Sequence, residues 1–196
     1  MKAPFTCLLV ILFLHGSSQD IYRDSLKQYL NRYVSTHEVI TGDDRQYFRF
    51  YPADETYKVR AKLLKPANSN WFNMETSGAV KKTFRVYGIL QFTIHDTLVK
   101  LPVYQSQGLI AMEQYKSLLF LPFTDRTSGE ETYAAGRYID LSLTDIKDDS
   151  ITIDFNKAYN PYCAYVSGVY NCPVPPKENQ LQVAIPVGEK IFAKPH

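Results

Sequence analysis

Tyr138-Ile139-Asp140-Leu141-Ser142-Leu143, followed after Lys147-Asp148-Asp149 by Ile151-Thr152-Ile153-Asp154-Phe155-Asn156, alternates apolar and polar residues with a period of two. Successive side chains of a strand point to opposite faces, so this pattern predicts two half-buried β-strands. The polar turn between them predicts a meander, with Asp140 on the polar face of one arm and Asp154 and Asn156 on that of the other. The same period recurs on both sides. Tyr57 to Leu64 alternates around Val59, Ala61 and Leu63, and Thr83 to Gly88 carries Phe84 and Val86 on one face. Ile89 to Ile94 and Leu98 to Tyr104 flank His95-Asp96-Thr97 as the arms of a hairpin. Pro102 has no amide proton, which predicts an edge position or a bulge for the second arm. Leu118 to Phe123 is a compact apolar strand, and Leu181, Val183 and Ile185 predict a last one before Gly188. Roughly eight short strands make an antiparallel β-barrel or sandwich the expected, mainly β fold.

One helix precedes the strands. Tyr22, Leu26, Tyr29, Leu30 and Tyr33 recur at helical spacing behind Asp20, a candidate N-cap. This predicts a single N-terminal amphipathic helix of about 15 residues. Upstream, Lys2 supplies a positive charge, Phe5 to Leu14 an apolar run, and His15-Gly16-Ser17-Ser18 small residues before Gln19. That is the layout of a cleaved secretory signal, too short for the roughly 20 residues of a membrane span. The expected organisation is a signal peptide over 1–18, a helix and linker over 19–45, and a single antiparallel β domain over 46–196. The expected location is secreted or periplasmic, with no transmembrane segment after cleavage.

Composition removes several classes of function. Loss of Lys2 from 22 basic residues leaves 21 against 20 acidic ones, without the basic excess of a nucleic-acid binder. Of four histidines, His15 leaves with the signal and His196 is terminal, so His37 and His95 cannot assemble a zinc site. No phosphate loop, dinucleotide fingerprint or Gly-x-Ser-x-Gly elbow occurs, and neither a metal nor a cofactor is expected. His95 reads as a solvated turn histidine.

The polar side chains concentrate in one place. Asp154-Phe155-Asn156-Lys157-Ala158-Tyr159-Asn160-Pro161-Tyr162-Cys163-Ala164-Tyr165 leaves a strand and enters a loop, with Cys172-Pro173 close behind. Cys163 and Cys172 are the two thiols of the mature chain, and in an exported protein they invite a disulfide. The other reading is an activated thiolate, which needs a neighbouring base or cation. Asp140 and Asp154, if brought together across paired strands, would give the paired acids of glycoside hydrolysis; each can equally accept local hydrogen bonds. Arg137 offers a planar fork for a carboxylate or phosphate, or an internal salt bridge to Asp154 or Glu178.

These residues carry a resemblance. Phe50-Tyr51-Pro52, Phe120-Leu121-Pro122-Phe123-Thr124-Asp125 and Thr127-Ser128-Gly129-Glu130-Glu131-Thr132-Tyr133 belong to its pattern. So do Gly136-Arg137-Tyr138-Ile139-Asp140-Leu141, the Asp154–Tyr165 stretch, and Cys172-Pro173-Val174-Pro175-Pro176-Lys177-Glu178-Asn179. The chain resembles the bacterial domain-of-unknown-function family numbered 1684. The resemblance implies exported or envelope-associated proteins, a paired role for Cys163 and Cys172, and no named activity. It also implies a shared role for Thr132, Arg137, Asp154, Asn156, Tyr159, Asn160 and Glu178. With Tyr165 these are the candidate ligand-binding residues of a small-molecule or glycan-binding β domain. The alternatives are an envelope hydrolase using Asp154 or Cys163, and a structural or interaction protein in which the polar cluster is an internal network.

Overall fold

In the computed structural model, residues 6–66 and 68–194 are described, with side chains from Gln19 onward. Lys2 therefore lies outside the described residues. The chain forms two compact units, 1–37 and 38–196. The first is a helix, α1 (Thr6–Ser35). It runs unbroken through Asp20, so Asp20 is interior and caps nothing. Two features explain the length: the apolar run before Asp20 is rich in leucine, a good helix former, and Gly16-Ser17-Ser18 is too brief to interrupt it. Among the described residues no helix is long and apolar enough to cross a membrane.

The second unit is an antiparallel sheet curled into a half-barrel. Its strands are β1 (Lys58–Leu64), β2 (Phe72–Met74), β3 (Lys82–Ile94), β4 (Thr97–Ser106), β5 (Leu118–Phe123), β6 (Arg137–Ser142) and β7 (Ser150–Asp154). The order is β6-β5-β4-β3-β1-β7, with β2 beside the start of β3. The expected meander of β6 and β7 is thus corrected. β6 pairs with β5 and β7 with β1, at opposite ends of the path. Residues 143–149 join them through a 3-10 turn and left-handed Asp148 and Asp149. A flat path of six strands would hold its ends about 24 Å apart, close to the full reach of that connection. The connection is folded, so the sheet must curl. Beyond β7, Tyr138 and Tyr159 exchange backbone hydrogen bonds of 2.9 and 3.0 Å, which brings the chain back alongside β6.

Alternation sorts the side chains onto two faces, with one switch. The two apolar runs expected over Thr83 to Gly88 and Ile89 to Ile94 are one strand, with a bulge between Val86 and Gly88. An extra residue at a bulge reverses the facing of everything after it. Hence Leu90, Phe92 and Ile94 join Leu101, Leu119, Leu121, Phe123, Ile139 and Ile153 in the main core on the first face. Phe84 instead joins Tyr104, Phe120 and Tyr138 on the second. A Cβ at Gly88 would lie 2.4 Å from Cδ1 of the buried Leu63, so a side chain there would force Leu63 to shift.

The segment expected as a last strand is buried but is no strand. Leu181, Ile185 and Val187 enter the main core, and a single parallel bridge at Gln180 ties the segment to Thr124. Ile185 instead gives its N–H to the Asp125 carboxylate and its carbonyl to Arg137. At Ile185, side chains occupy the groups that would extend the backbone bonds which Leu181 and Val183 make to Thr124 and Arg126.

Pro102 also departs from expectation, since β4 lies inside the sheet between β3 and β5. The Tyr104–Phe120 register, continued by two residues, sets Pro102 opposite Pro122. Neither proline can donate, so each would leave the other's carbonyl unmet. Asn179 resolves this: its Nδ2 donates to both carbonyls at 2.8 Å, while its Oδ1 accepts from the Tyr104 hydroxyl at 2.8 Å. An asparagine amide thus replaces two missing backbone donors. Asn179→Leu should strand both carbonyls and the Tyr104 hydroxyl, costing about 3 kcal/mol in a urea titration. Tyr104→Phe should cost roughly 1 kcal/mol in the same assay.

Candidate functional site

Arg137 begins β6 on the first face, with no exposed surface. Gly136 places it there, with φ +95° and a position where a Cβ would lie 2.6 Å from the Phe123 carbonyl. The guanidinium sits 5.3 Å from the Phe123 ring centroid and meets Asp125 Oδ2 at 2.8 Å. Neither of the residues expected to pair with it, Asp154 or Glu178, does so. Its remaining hydrogen bonds go to the carbonyls of Ile185, Val187 and Glu189. Burial lowers the guanidinium pKa, and the Asp125 charge opposes that shift; arginine stays protonated in any event. Asp125 Oδ1 accepts from the backbone N–H and hydroxyl of Thr127 at 2.8 and 2.6 Å and from the Ile185 N–H at 3.2 Å. The Thr127 hydroxyl then meets that of buried Thr132 at 2.9 Å.

A second knot adjoins the first through Glu189, whose carbonyl Arg137 holds. The buried Glu189 carboxylate accepts from the Asn160 N–H at 2.9 Å and from the Tyr165 hydroxyl at 2.7 Å. Asn160 Nδ2 donates to the Lys190 carbonyl at 2.9 Å, while Oδ1 is buried without a partner among the described residues. Thr132, Arg137, Asn160 and Tyr165 are therefore brought together by their contacts.

The other candidates stand elsewhere. Asn156 takes the Asp54 N–H at 2.9 Å and donates to the Asp54 carbonyl at 2.8 Å, pairing with it as a strand residue would. Asp154 Oδ1 accepts from the Asn156 backbone N–H and side chain at 3.2 and 3.1 Å, and Lys157 Nζ lies 3.9 Å from Oδ2. Glu178 is exposed beside Asn179. Tyr159, on the second face, donates to Asp140 Oδ1 at 3.0 Å. Asp140 and Asp154, on strands at opposite ends of the sheet, form no acid pair. Cys163 and Cys172 are joined in a disulfide. Their loop docks on the chain after β2, where Ser77 N–H donates to the Cys172 carbonyl at 2.8 Å and Cys172 N–H to Ser77 Oγ at 3.1 Å. His95 is exposed as expected, although its Nε2 meets the Tyr57 hydroxyl at 2.7 Å.

Sequence reasoning missed Asp125 and Glu189, the two acids around which the knots are built. Asp125-x-Thr127 carried a usable signal, since an aspartate two residues before a threonine commonly caps a turn. Glu189, next to Gly188 in an apolar tail, had none. Among the described residues no three His, Cys, Asp or Glu side chains gather as metal ligands.

The family model described as a protein of unknown function, DUF1684, matches residues 46–190. The chain belongs to this family. The matched span holds both cysteines, Asp125, Arg137 and Glu189, so the two knots lie within the DUF1684 domain. The chain is also similar to an uncharacterised protein of Haloarcula marismortui solved by solution NMR. The two share 28% identity with a TM-score of 0.66, over 89% of this chain and 96% of that one. No curated protein matches the chain significantly.

Two outcomes follow from the knots and the tyrosines. Arg137→Met leaves the Asp125 carboxylate buried without its cation, and should cost about 3–5 kcal/mol in a denaturant melt. Burial, with Glu38 adding to it, pushes the Tyr162 phenol up to about 12, and burial raises Tyr51, Tyr104 and Tyr138 further still. Between the ordinary tyrosine pKa near 10 and these raised values, the unfolded chain has lost protons that the folded one keeps. Stability should therefore be intact below about pH 10 and fall as pH rises towards 12, with the phenolate absorbance appearing alongside unfolding.

Proposed function

We propose that this DUF1684 domain is exported and binds a small molecule or glycan on the second face of its sheet, beside the disulfide loop. The observation that carries the reading is the Tyr159–Asp140 pair. Of the hydroxyl and carboxyl groups in the polar stretch and its neighbours, this pair combines an accessible acid with an aromatic approach. Desolvation by the surrounding protein raises the Asp140 pKa against the pull of the Tyr159 hydrogen bond, although the residue keeps accessible surface. A carboxyl group in that position is recessed but reachable.

The aromatic part of the pair is the half-buried Tyr159 ring, which is backed by a row of buried rings across the sheet. Phe84 lies 5.5 Å from Phe120, Phe120 lies 4.7 Å from Tyr138, and Tyr138 lies 5.9 Å from Tyr159. An accessible ring beside a fixed carboxyl group is a usual lining of a site for a small ligand, and here the buried rings hold the Tyr159 ring in place. Export is supported by the leader-like N-terminus and by a disulfide that suits an oxidising compartment. A second reading, an interaction protein with an internal polar network, is favoured by the full burial of Thr132, Arg137 and Asn160. No observation favours the hydrolase: Asp154 is engaged by Asn156 and Lys157, and the Cys163 sulfur is bonded to Cys172.

Titration of isotope-labelled protein with cello-, chito- and malto-oligosaccharides tests the binding reading. Saturable amide shifts should centre on Asp140 and Tyr159, and Asp140→Asn should weaken them about tenfold while leaving the melt unchanged. Absence of saturation at millimolar sugar would reject the glycan and leave the network reading.

A further inference from the structure

On the first face, at the end of the sheet away from the β3–β4 hairpin turn, three polar and aromatic side chains form one rung. Arg85 pairs with Gln105 across β3 and β4, and the Phe72–Phe84 register, continued by one residue, sets Trp71 opposite Arg85. The guanidinium carbon lies 4.8 Å from the indole centroid. Nε and Nη2 of Arg85 both donate to Gln105 Oε1, at 3.0 and 2.6 Å.

The pairing has an unusual electrostatic balance. Arginine can only donate, so the Gln105 oxygen must face it and the Gln105 NH2 must point away. Gln105 is 4% exposed, and its Nε2 has no acceptor among the described residues. Arg85, half-buried, likewise has no acidic partner among the described residues; a neutral amide fixes its position and leaves its charge uncompensated. The indole restricts the rotamers of the guanidinium, which is planar by its own delocalisation. The result is a preorganised cation whose Nη1, with the Gln105 amide, is left over as a donor. A planar anion accepting two such hydrogen bonds fits this geometry.

We propose that Trp71, Arg85 and Gln105 form a binding site for a carboxylate. It lies on the opposite face from the Tyr159–Asp140 pair and does not depend on that reading. Trp71 is the single tryptophan of the chain and is 37% exposed, so its emission reports the site directly.

The test is a fluorescence titration of the full chain with sodium acetate, sodium glucuronate, glucose and sodium chloride, at constant ionic strength. Trp71 emission should change saturably with acetate, glucuronate or both, and not with glucose or chloride. Saturation by acetate as tight as by glucuronate identifies the carboxylate alone as the recognised group. Saturation by glucuronate alone adds contacts to the sugar ring. Gln105→Glu keeps an acceptor for Arg85 but removes the amide donor and supplies a counter-charge, so it should weaken binding at least about tenfold with an unchanged melt. Should that variant fail to fold, Arg85→Lys retains the charge without the fork and should lose affinity by a similar factor. A linear response indistinguishable from chloride overturns the proposal. So does unchanged affinity in a folded Gln105→Glu or Arg85→Lys protein.

Discussion

The buried ion pair of Arg137 and Asp125 is the constraint on which the rest of this domain depends. It joins the first residue of β6 to the turn after β5, and both to a C-terminal segment that has no ladder of its own. A guanidinium carries five donors in a rigid fork, enough to meet one carboxylate and several carbonyls at once. Here the carbonyls of Ile185, Val187 and Glu189 converge on it, and the Ile185 N–H reaches the carboxylate. Burying two charges is expensive, and a well-packed apolar pair often gives equal stability. Such a pair could not supply donors to three carbonyls. What the ions contribute is a single defined path for residues 185–189 against the start of β6 and the turn after β5.

Three asparagines repeat that solution at smaller scale. Asn179 donates to two carbonyls that facing prolines leave unmet. Asn156 exchanges hydrogen bonds with the Asp54 backbone, and Asn160 donates to the Lys190 carbonyl. A sheet that curls without closing leaves irregular backbone near its core, and such backbone must find partners because water is excluded. The asparagine side chain has the same donor and acceptor as a peptide group, so it fits these gaps. This is also why the polar stretch reads as a ligand site in the sequence. An amide that grips backbone and one that grips a ligand have the same chemistry.

With those groups taken up internally, the accessible chemistry moves to the margins of the sheet. The second face ends in Tyr159 and Asp140 beyond a row of buried rings. The first face, past its aliphatic core, ends in the Trp71–Arg85–Gln105 rung. The bulge between Val86 and Gly88 sets the facing of the β3 members: before it, Phe84 falls on the second face and Arg85 on the first, opposite Gln105 of β4. One extra residue in β3 therefore decides which of its side chains join the aromatic face and which the face that carries Arg85.

The antiparallel, mainly β class and most of its strands were legible in the sequence because alternation is a local property, set by each strand's need to bury one side. Leu118 to Phe123 is found as expected, and the hairpin around His95 needs only adjacent residues. Two thiols nine positions apart were likewise enough to suggest the disulfide that joins them. Pairing was not legible. Nothing within Tyr138–Asn156 says that β7 crosses to β1 rather than returning to β6, because the choice rests on the curl of the whole sheet. Nor does Pro102 announce an interior strand, since its compensation comes from Asn179, 77 positions away. Local periodicity determined which residues face inward; only the tertiary structure decided which polar groups meet there, because a buried donor is satisfied by whatever the fold brings within hydrogen-bonding distance.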